Sequence, residues 1–443
     1  MLTRIYLSLA LLSATSLWAQ VASPIQSAPE TTGDDQMATP PPVNSNPSPT
    51  AVGSEMRSNY LRGGLVLSGS YVDNMYAGQG TNTVGEGIYS VLPTISADQT
   101  TSRRHLIFAY RPGFTFYEPT SSLNEVDHNA NVDFQYRLTP HGTLGLNDTF
   151  QKSSTTYGLS DSTGAATSGS SQPVAPGVLA PFAQRLTNNA NGQFSLQIAP
   201  AAMVGVSGST MLLHYPNPSQ TSGLYDYDER GASGFYNRRI SLGQYAGVNY
   251  AYSLILSYPQ NGQSNTEMHN LYAFYTIYPK HEFSISASGG VQHYSATQTS
   301  LPESRAWEPM IMASVRWQGL HTNLSANYSR QVTGGGGLLG AFTSTNVSGY
   351  ARWQMARTWT ASASANYAVN RSVTPLLLSE AQNGHSIAGF ATVEHAFSDQ
   401  VSLLFEYDRV HQSYEGIASL ASDPNSNREL ISLVWQFTRP LGR

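Results

Sequence analysis

Apolar and polar residues alternate strictly along much of this chain. In TWTASASANYAVN (358–370), the odd positions from Trp359 to Val369 are apolar or aromatic, and the even positions from Thr360 to Asn370 are mostly hydroxyl or amide residues. A period of two residues predicts a β-strand with two different faces. The polar face carries no charge, which is unusual for a strand face exposed to bulk water. The segment therefore indicates a strand between two environments, one apolar and one polar but confined.

Further segments repeat this pattern, and the connections between them alternate in length. The clearest segments are HNANVDFQYRL (128–138), QYAGVNYAYSLILSY (244–258), EFSISASGGV (282–291) and WEPMIMASVRW (307–317). Short polar turns are centred near 100, 140, 200, 240, 280, 319, 357 and 399, mostly about 40 residues apart, with longer loops between them. A regular repeat of strand, turn, strand and loop predicts a row of hairpins. We expect about 18 strands, from near Leu61 to near Phe437.

This arrangement predicts an all-β fold, a transmembrane antiparallel up-and-down β-barrel. Such barrels alternate apolar residues facing lipid with polar residues facing the lumen, and carry short turns at one end and long loops at the other. A closed sheet is required because the backbone has no water to bond with in lipid. Aromatic residues near the strand ends predict the two interfacial girdles. Those near the short turns include Trp317, Trp353, Trp359 and Trp435, and those near the long loops include Tyr258, Trp307, Tyr367 and Tyr407.

The composition excludes several other classes of protein. Only 12% of the residues are charged, against about 25% in soluble domains, so a soluble β-sandwich or propeller is disfavoured. The mean hydropathy is −0.27, and no apolar run long enough for a membrane helix follows the first residues. The formal net charge of −5, without a basic run, gives no signature of nucleic-acid binding.

The N-terminal region predicts export. Residues 1–19 combine Arg4, a short apolar core and small residues before Ala19, as in a secretory signal peptide. Residues 20–57 are rich in Pro and Ser and predict a flexible periplasmic linker. The barrel is expected over residues 58–443. The chain has no Cys, so no disulfide or thiolate site is expected.

These features resemble the outer-membrane β-barrels of Gram-negative bacteria, of the porin-like kind. The last strand, RELISLVWQFTRPLGR, alternates Ile431, Leu433, Trp435 and Phe437 and resembles the strand recognised by the barrel-assembly machinery, although six residues follow Phe437. The resemblance implies a location in the outer membrane, in contact with its lipid and lipopolysaccharide. The architecture and the RPLGR tail are most similar to poorly characterised barrels associated with exopolysaccharide export systems.

Few charges fall on the strand face predicted to line the lumen. They either create a roughly balanced field that selects weakly among small solutes, or pair across strands and stabilise the barrel. These lumen-lining candidates are Arg111, Asp133, Arg137, Glu308, Arg316, Arg352, Glu394, Glu406 and Asp408.

The sequence gives no good evidence for an enzyme, a cofactor or a metal site. His411 and Ser413 form a His-x-Ser pair on the lipid-facing parity; outer-membrane phospholipase barrels carry a His–Ser–Asn site on an outer face, but the extended motif around it is absent here. None of the 11 His recurs at zinc-binding spacing. GGGGLLG (334–340) lacks the Lys and Ser/Thr of a phosphate loop and is interpreted as a flexible loop.

The leading hypothesis for function is passive transport of polar solutes, since barrels of 16–18 strands enclose an aqueous channel. Exopolysaccharide export or surface retention is an alternative, in which Tyr side chains stack against sugars. A third possibility is a barrel that binds a partner through its long loops. The loop 152–186 is long and rich in Ser, Gly and Thr, and we expect it to constrict the channel.

Overall fold

The computed structural model describes residues 59–75, 85–153, 184–217, 224–259, 262–280, 282–298, 302–334, 338–373, 383–414 and 425–441. These residues form one sheet of 18 antiparallel strands. The strands are β1 (Asn59–Val72), β2 (Glu86–Thr100), β3 (Arg104–Glu118), β4 (Glu125–Arg137), β5 (Gly142–Ser153), β6 (Arg185–Ala199), β7 (Ala202–His214), β8 (Tyr227–Ser241), β9 (Gln244–Ser257), β10 (Ser264–Lys280), β11 (Phe283–Gln298), β12 (Ser304–Gln318), β13 (Thr322–Gly334), β14 (Ala341–Ala356), β15 (Trp359–Ser372), β16 (Gly384–Ala396), β17 (Val401–Tyr414) and β18 (Asn425–Pro440).

Each strand pairs with the strands that precede and follow it, and β18 pairs with β1, so the sheet closes into a barrel. This confirms the predicted fold class and the predicted 18 strands. Eight connections of two to four residues lie at one end of the barrel, which we call the short-turn end. The nine longer connections lie at the opposite, long-loop end. Residues 1–58, which include the predicted signal peptide and linker, lie outside the described residues.

The outer surface of the wall is largely apolar between two aromatic girdles. In β15, Trp359 and Tyr367 are exposed on the outer side, whereas Ser362 and Ser364 occupy the inner parity, as the alternation predicts. In β12, Trp307 marks one girdle and Trp317 the other. Ten residues span about 33 Å along a strand, which a tilt of about 40° reduces to about 25 Å, the height of the apolar band of a membrane barrel. The described residues contain no helix long and apolar enough to cross a membrane.

The closure between the first and last strands is held by side chains as well as by the backbone. Asp73 accepts hydrogen bonds from the Asn427 backbone N–H (2.7 Å) and from its side-chain amide (2.6 Å) at the long-loop end. At the short-turn end, the Leu441 N–H donates to the Asn59 carbonyl over 2.8 Å. Both ends of this seam are therefore fixed, although its strands are the most distant in the sequence.

The ladder between β2 and β3 is interrupted near its centre, where two prolines face each other. Pairing stops at Val91–Phe114 and resumes at Ile95–Tyr110, and Pro93 and Pro112 occupy the middle of the gap. The Thr101 N–H donates to the Arg104 carbonyl. Every second residue of a strand bonds the same neighbouring strand, so the odd-numbered residues of β2, including Pro93, direct their backbone groups toward β3. Neither proline has an N–H to donate, and the two hydrogen bonds that this pair would exchange cannot form.

The two faces of β15 can be distinguished by substitution. We expect Ala363→Arg to destabilise the barrel by about 2–4 kcal/mol, because it places a charge against lipid near the middle of the bilayer. Ser364→Arg should fold normally, because the side chain points into the lumen. Urea unfolding in lipid vesicles measures both. Equal losses for the two variants would show that the assigned faces are wrong.

Candidate functional site: an inward-folded hairpin

Near the long-loop end, strand β13 separates from β12 and the end of the β13–β14 hairpin folds toward the lumen, while β14 stays paired with β15. Strand β13 pairs with β12 only from Asn323 to Arg330, whereas its pairing with β14 continues to Gly334. Beyond the fork, the residues of the hairpin are deeply buried. Leu338 is 1% exposed, and Ala341 and Phe342 are fully buried.

The hairpin is buried in a cluster of apolar residues that spans the lumen, which we call the mouth cluster. Its members come from two loops and eight strands on both sides of the barrel: Leu213, Tyr215, Leu224, Tyr227, Ile255, Met268, Tyr294, Ala296, Val332, Leu338, Ala341, Phe342 and Tyr414. Tyr227 lies on β8 and Tyr414 on β17, nine positions apart in a ring of 18 strands. The cluster therefore connects opposite walls of the barrel through the hairpin.

Individual contacts show how far the hairpin reaches. A Cβ placed on Gly334 of β13 would lie 3.5 Å from Ile255 Cδ1 on β9 and 3.7 Å from Tyr227 Cε2 on β8. Complete burial of a side chain such as Phe342 or Leu338 contributes about 1.5–3 kcal/mol. Burial also raises the pKa of the Tyr215 hydroxyl, which lies beyond the end of β7, to about 12. The apolar side chains around the hairpin are thus shielded from solvent.

Polar contacts fasten the hairpin to the wall on either side. The Gln292 side chain of β11 donates to the Val332 carbonyl over 2.9 Å and accepts from the Val332 N–H over 2.7 Å. Behind the hairpin, the Ser304 hydroxyl at the start of β12 donates to the Val373 carbonyl over 3.1 Å. The Val373 N–H in turn donates to the Ala341 carbonyl of β14 over 3.0 Å. The hairpin is therefore bonded to the barrel as well as packed into it.

Part of the inner face elsewhere carries neutral polar groups that bond one another across strands. Asn131 donates to Thr149 over 2.9 Å, and the hydroxyl groups of Ser207 and Ser233 lie 2.7 Å apart. Ser362 and Thr392 are also hydrogen-bonded. Such side chains are small and need no charge to be hydrated, so this part of the wall suits a water-filled lumen.

All nine charged residues predicted to face the lumen lie on the inner parity, opposite the exposed apolar residues of their strands. Seven of them are exposed or half-buried: Arg111, Asp133, Arg137, Glu308, Arg316, Arg352 and Glu394. Four of these seven residues are arginines and three are carboxylates. Their role in lining the channel stays a prediction.

Glu406 and Asp408 lie on the inner side of β17 but are buried in the wall. Arg428 of β18 donates to Glu406 over 2.8 Å and to Asp408 over 2.7 Å, and all three side chains are at most 5% exposed. These two carboxylates therefore belong to a buried ion cluster beside the closing seam rather than to an open lumen surface. The sequence interpretation missed Arg428, although its parity opposite Ile431 and Leu433 could have revealed it.

His411 and Ser413 lie on the outer face of β17, as the sequence predicted. His411 Nδ1 is 2.9 Å from Asn425 Oδ1 of β18, and its ring lies 5.5 Å from that of His385. Ser413 is directly opposite His385 in the sheet. Together with Tyr367, these residues form a polar aromatic row in the girdle at the long-loop end. Among the described residues, no group of His, Asp or Glu could hold a metal ion.

Residues 154–183, most of the loop expected to constrict the channel, lie outside the described residues. The constriction that the structure describes comes from a different connection, between β13 and β14. Interpretation of GGGGLLG as a flexible loop overlooked Leu338 and Leu339, which are buried in the lumen. Two adjacent leucines beside a glycine run at a loop tip were the available signal, because a solvent-exposed loop rarely needs them.

Comparisons with known proteins give distant structural similarities only. No family model matches the chain, and no curated protein is significantly similar to it. The Pseudomonas aeruginosa channel OccK2 (OpdF), solved with glucuronate, is 9% identical with a TM-score of 0.43, covering 85% of this chain and 98% of its own. The Neisseria meningitidis FrpB iron transporter (F3-3 variant) is 8% identical with a TM-score of 0.44, covering 90% and 86%.

The ferric citrate transporter FecA is 12% identical with a TM-score of 0.41, and the match covers 81% of this chain and 60% of FecA. These similarities are too distant to assign the chain to any of these families. The closed wall, the apolar belt and the two girdles are those of a barrel of the Gram-negative outer membrane.

Removing Arg428 should be costly, because two buried carboxylates would lose their cation. We expect Arg428→Met to destabilise the barrel by about 3–5 kcal/mol, measured by urea unfolding in vesicles. Arg305→Met is a matched control, since Arg305 contacts Glu303 over the same 2.8 Å but is exposed, and it should cost little. Similar losses for both variants would contradict a special role for the buried cluster.

Proposed function

We propose that this protein is an outer-membrane channel for passive movement of small polar solutes, narrowed at the long-loop end by the β13–β14 hairpin. The observation that carries the proposal is the combination of an inner wall rich in hydroxyl and amide groups with a hairpin that reaches across the mouth at the long-loop end. A wall of 18 strands encloses an aqueous channel, and a hairpin at one end limits the size of what passes.

The charges on the inner face support weak selection between ions. Four arginines and three carboxylates are distributed over β3, β4, β12, β14 and β16, so neither sign dominates the field in the lumen. Such a channel favours neutral or singly charged solutes over polyanions.

Exopolysaccharide export is less well supported as an alternative. A polymer chain needs a wide exit, whereas the hairpin and its apolar cluster occupy the mouth at which the polymer would leave. Inner aromatic residues such as Tyr272 and Phe274 could stack against sugars, but they are buried against Met310 and Met312. Binding of a partner through the long loops has no specific support among the described residues.

Conductance tests the proposal directly. Purified protein in a planar bilayer should give small, stable single-channel steps, and Phe342→Ala should enlarge them because it removes a ring from the mouth cluster. Phe405→Ala is the control, since that ring faces lipid, and its conductance should equal that of the parent. Absence of any conductance in the parent and in Phe342→Ala would refute the channel and favour a partner-binding barrel.

Orientation in the membrane is testable by cysteine labelling, because the chain has no native Cys. With the long-loop end outside the cell, Ser121→Cys in the β3–β4 connection should react with a membrane-impermeant maleimide in intact cells. Ser398→Cys in the β16–β17 turn should react only after lysis. Labelling of Ser398→Cys alone in intact cells would reverse the assigned orientation.

A further inference from the structure

Strand β12 continues for seven residues, Ser304–Met310, beyond the last residue that pairs with β13. The fork lies at Ile311–Arg330, within the span between the girdle residues Trp307 and Trp317. Backbone groups at this depth need partners inside the protein, since lipid supplies none. A departure of β13 from the wall here therefore needs a specific cause.

Pro309 supplies that cause. At the end of β12, the Gly319 N–H donates to the Thr322 carbonyl on the β13 side, whereas the Gln318 N–H donates to the Glu282 carbonyl on the β11 side. Because this direction alternates along a strand, the odd-numbered residues of β12 direct their backbone groups toward β13. Pro309 is one of these odd residues. If the register of Ile311 with Arg330 continued, Pro309 would face Val332. Proline has no N–H, so the Val332 carbonyl would have no donor in the wall.

Gln292 provides what Pro309 lacks. Its side-chain amide bonds both the N–H and the carbonyl of Val332, as the backbone of a neighbouring strand would. Gln292 is 1% exposed and lies on the inner face of β11, so Val332 is held inside the barrel rather than in the wall. Its amide nitrogen also lies 3.4 Å from Met268 Sδ in the mouth cluster.

We propose that Gln292 acts as a substitute strand partner that holds the β13–β14 hairpin in the lumen, and that Pro309 makes this substitute necessary. The position of the hairpin, and with it the width of the mouth, is then set by a buried glutamine and by a proline on the lipid-facing parity. The effect on width rests on the proposed channel function, whereas the position of the hairpin does not.

The first test measures access to the buried tip of the hairpin. A cysteine introduced by Ala341→Cys should be nearly unreactive toward a small maleimide in the parent protein, because Ala341 is fully buried. Adding Gln292→Met keeps the size of the side chain but removes both hydrogen bonds, and we expect labelling at least tenfold faster. Gln412→Met is the matched control, since Gln412 is equally buried on the inner face of β17, and it should leave the rate unchanged.

Gln292→Asn provides a second variant should the methionine variant fail to fold, as judged by heat-modifiable migration. It keeps the amide but is one methylene shorter, so it cannot reach both groups of Val332, and labelling should again accelerate. Slow labelling in a folded Gln292 variant, or acceleration equal to that in the Gln412 control, would overturn the proposal.

The second test examines Pro309. With Trp307→Cys and Gly334→Cys, the two thiols would be opposite each other only if β13 paired with β12 beyond the fork, since Gly334 now lies near Ile255 and Tyr227. A short thiol crosslinker should join them when Pro309→Val and Gln292→Met are combined, but not in the parent. Absence of the crosslink in the combined variant would refute the role of Pro309.

Neither readout depends on conduction. If the labelling and crosslinking results hold while the parent protein conducts nothing, the assignment of Gln292 and Pro309 stands and the channel function fails. If the channel conducts but Gln292→Met labels no faster than the control, the channel stands and this inference fails.

Discussion

The structure depends on one requirement, that every backbone N–H and carbonyl at membrane depth finds a partner inside the protein. Closure of β18 on β1 meets this requirement for the wall as a whole. The ladder fails where proline removes a donor, at Pro93 with Pro112 and beyond Ile311 near Pro309. Near Pro309 the side-chain amide of Gln292 replaces the missing partner of Val332, and the end of β13 turns away from β12 toward the lumen.

The position of the β13–β14 hairpin determines where the interior of the barrel is apolar. Near the long-loop end, apolar residues from opposite walls pack around Phe342 and Leu338 and exclude water. Away from this cluster, hydroxyl and amide side chains on the inner face bond one another across strands. The buried charges beside the closing seam are paired, because Arg428 binds two carboxylates there. The barrel thus has a largely polar inner wall and an apolar cluster at its long-loop end.

Local pattern was enough to predict the wall. The alternation from Trp359 to Val369 gives the two faces of β15 without any knowledge of its neighbours, and the spacing of the turns gives the number of strands. The interior contacts could not be predicted in this way. Gln292 is one polar residue among many on the inner parity, and its partner Val332 lies 40 residues away on a strand that is not its neighbour. Arg428 likewise lies on a strand whose alternation is carried by its apolar and aromatic residues, and its two carboxylate partners lie on the neighbouring strand β17.

The seam between β1 and β18 gives the chain an unexpected freedom. Asn59 and Leu441 are hydrogen-bonded to each other at the short-turn end, so the first and last strands are related in space as any two consecutive strands are. A short peptide could join them as one more turn, and the chain could instead begin in a long loop, where new ends are tolerated best. The pairing of the strands in the wall therefore does not require the chain to begin at β1 and end at β18, and we expect a circularly permuted chain to form the same barrel.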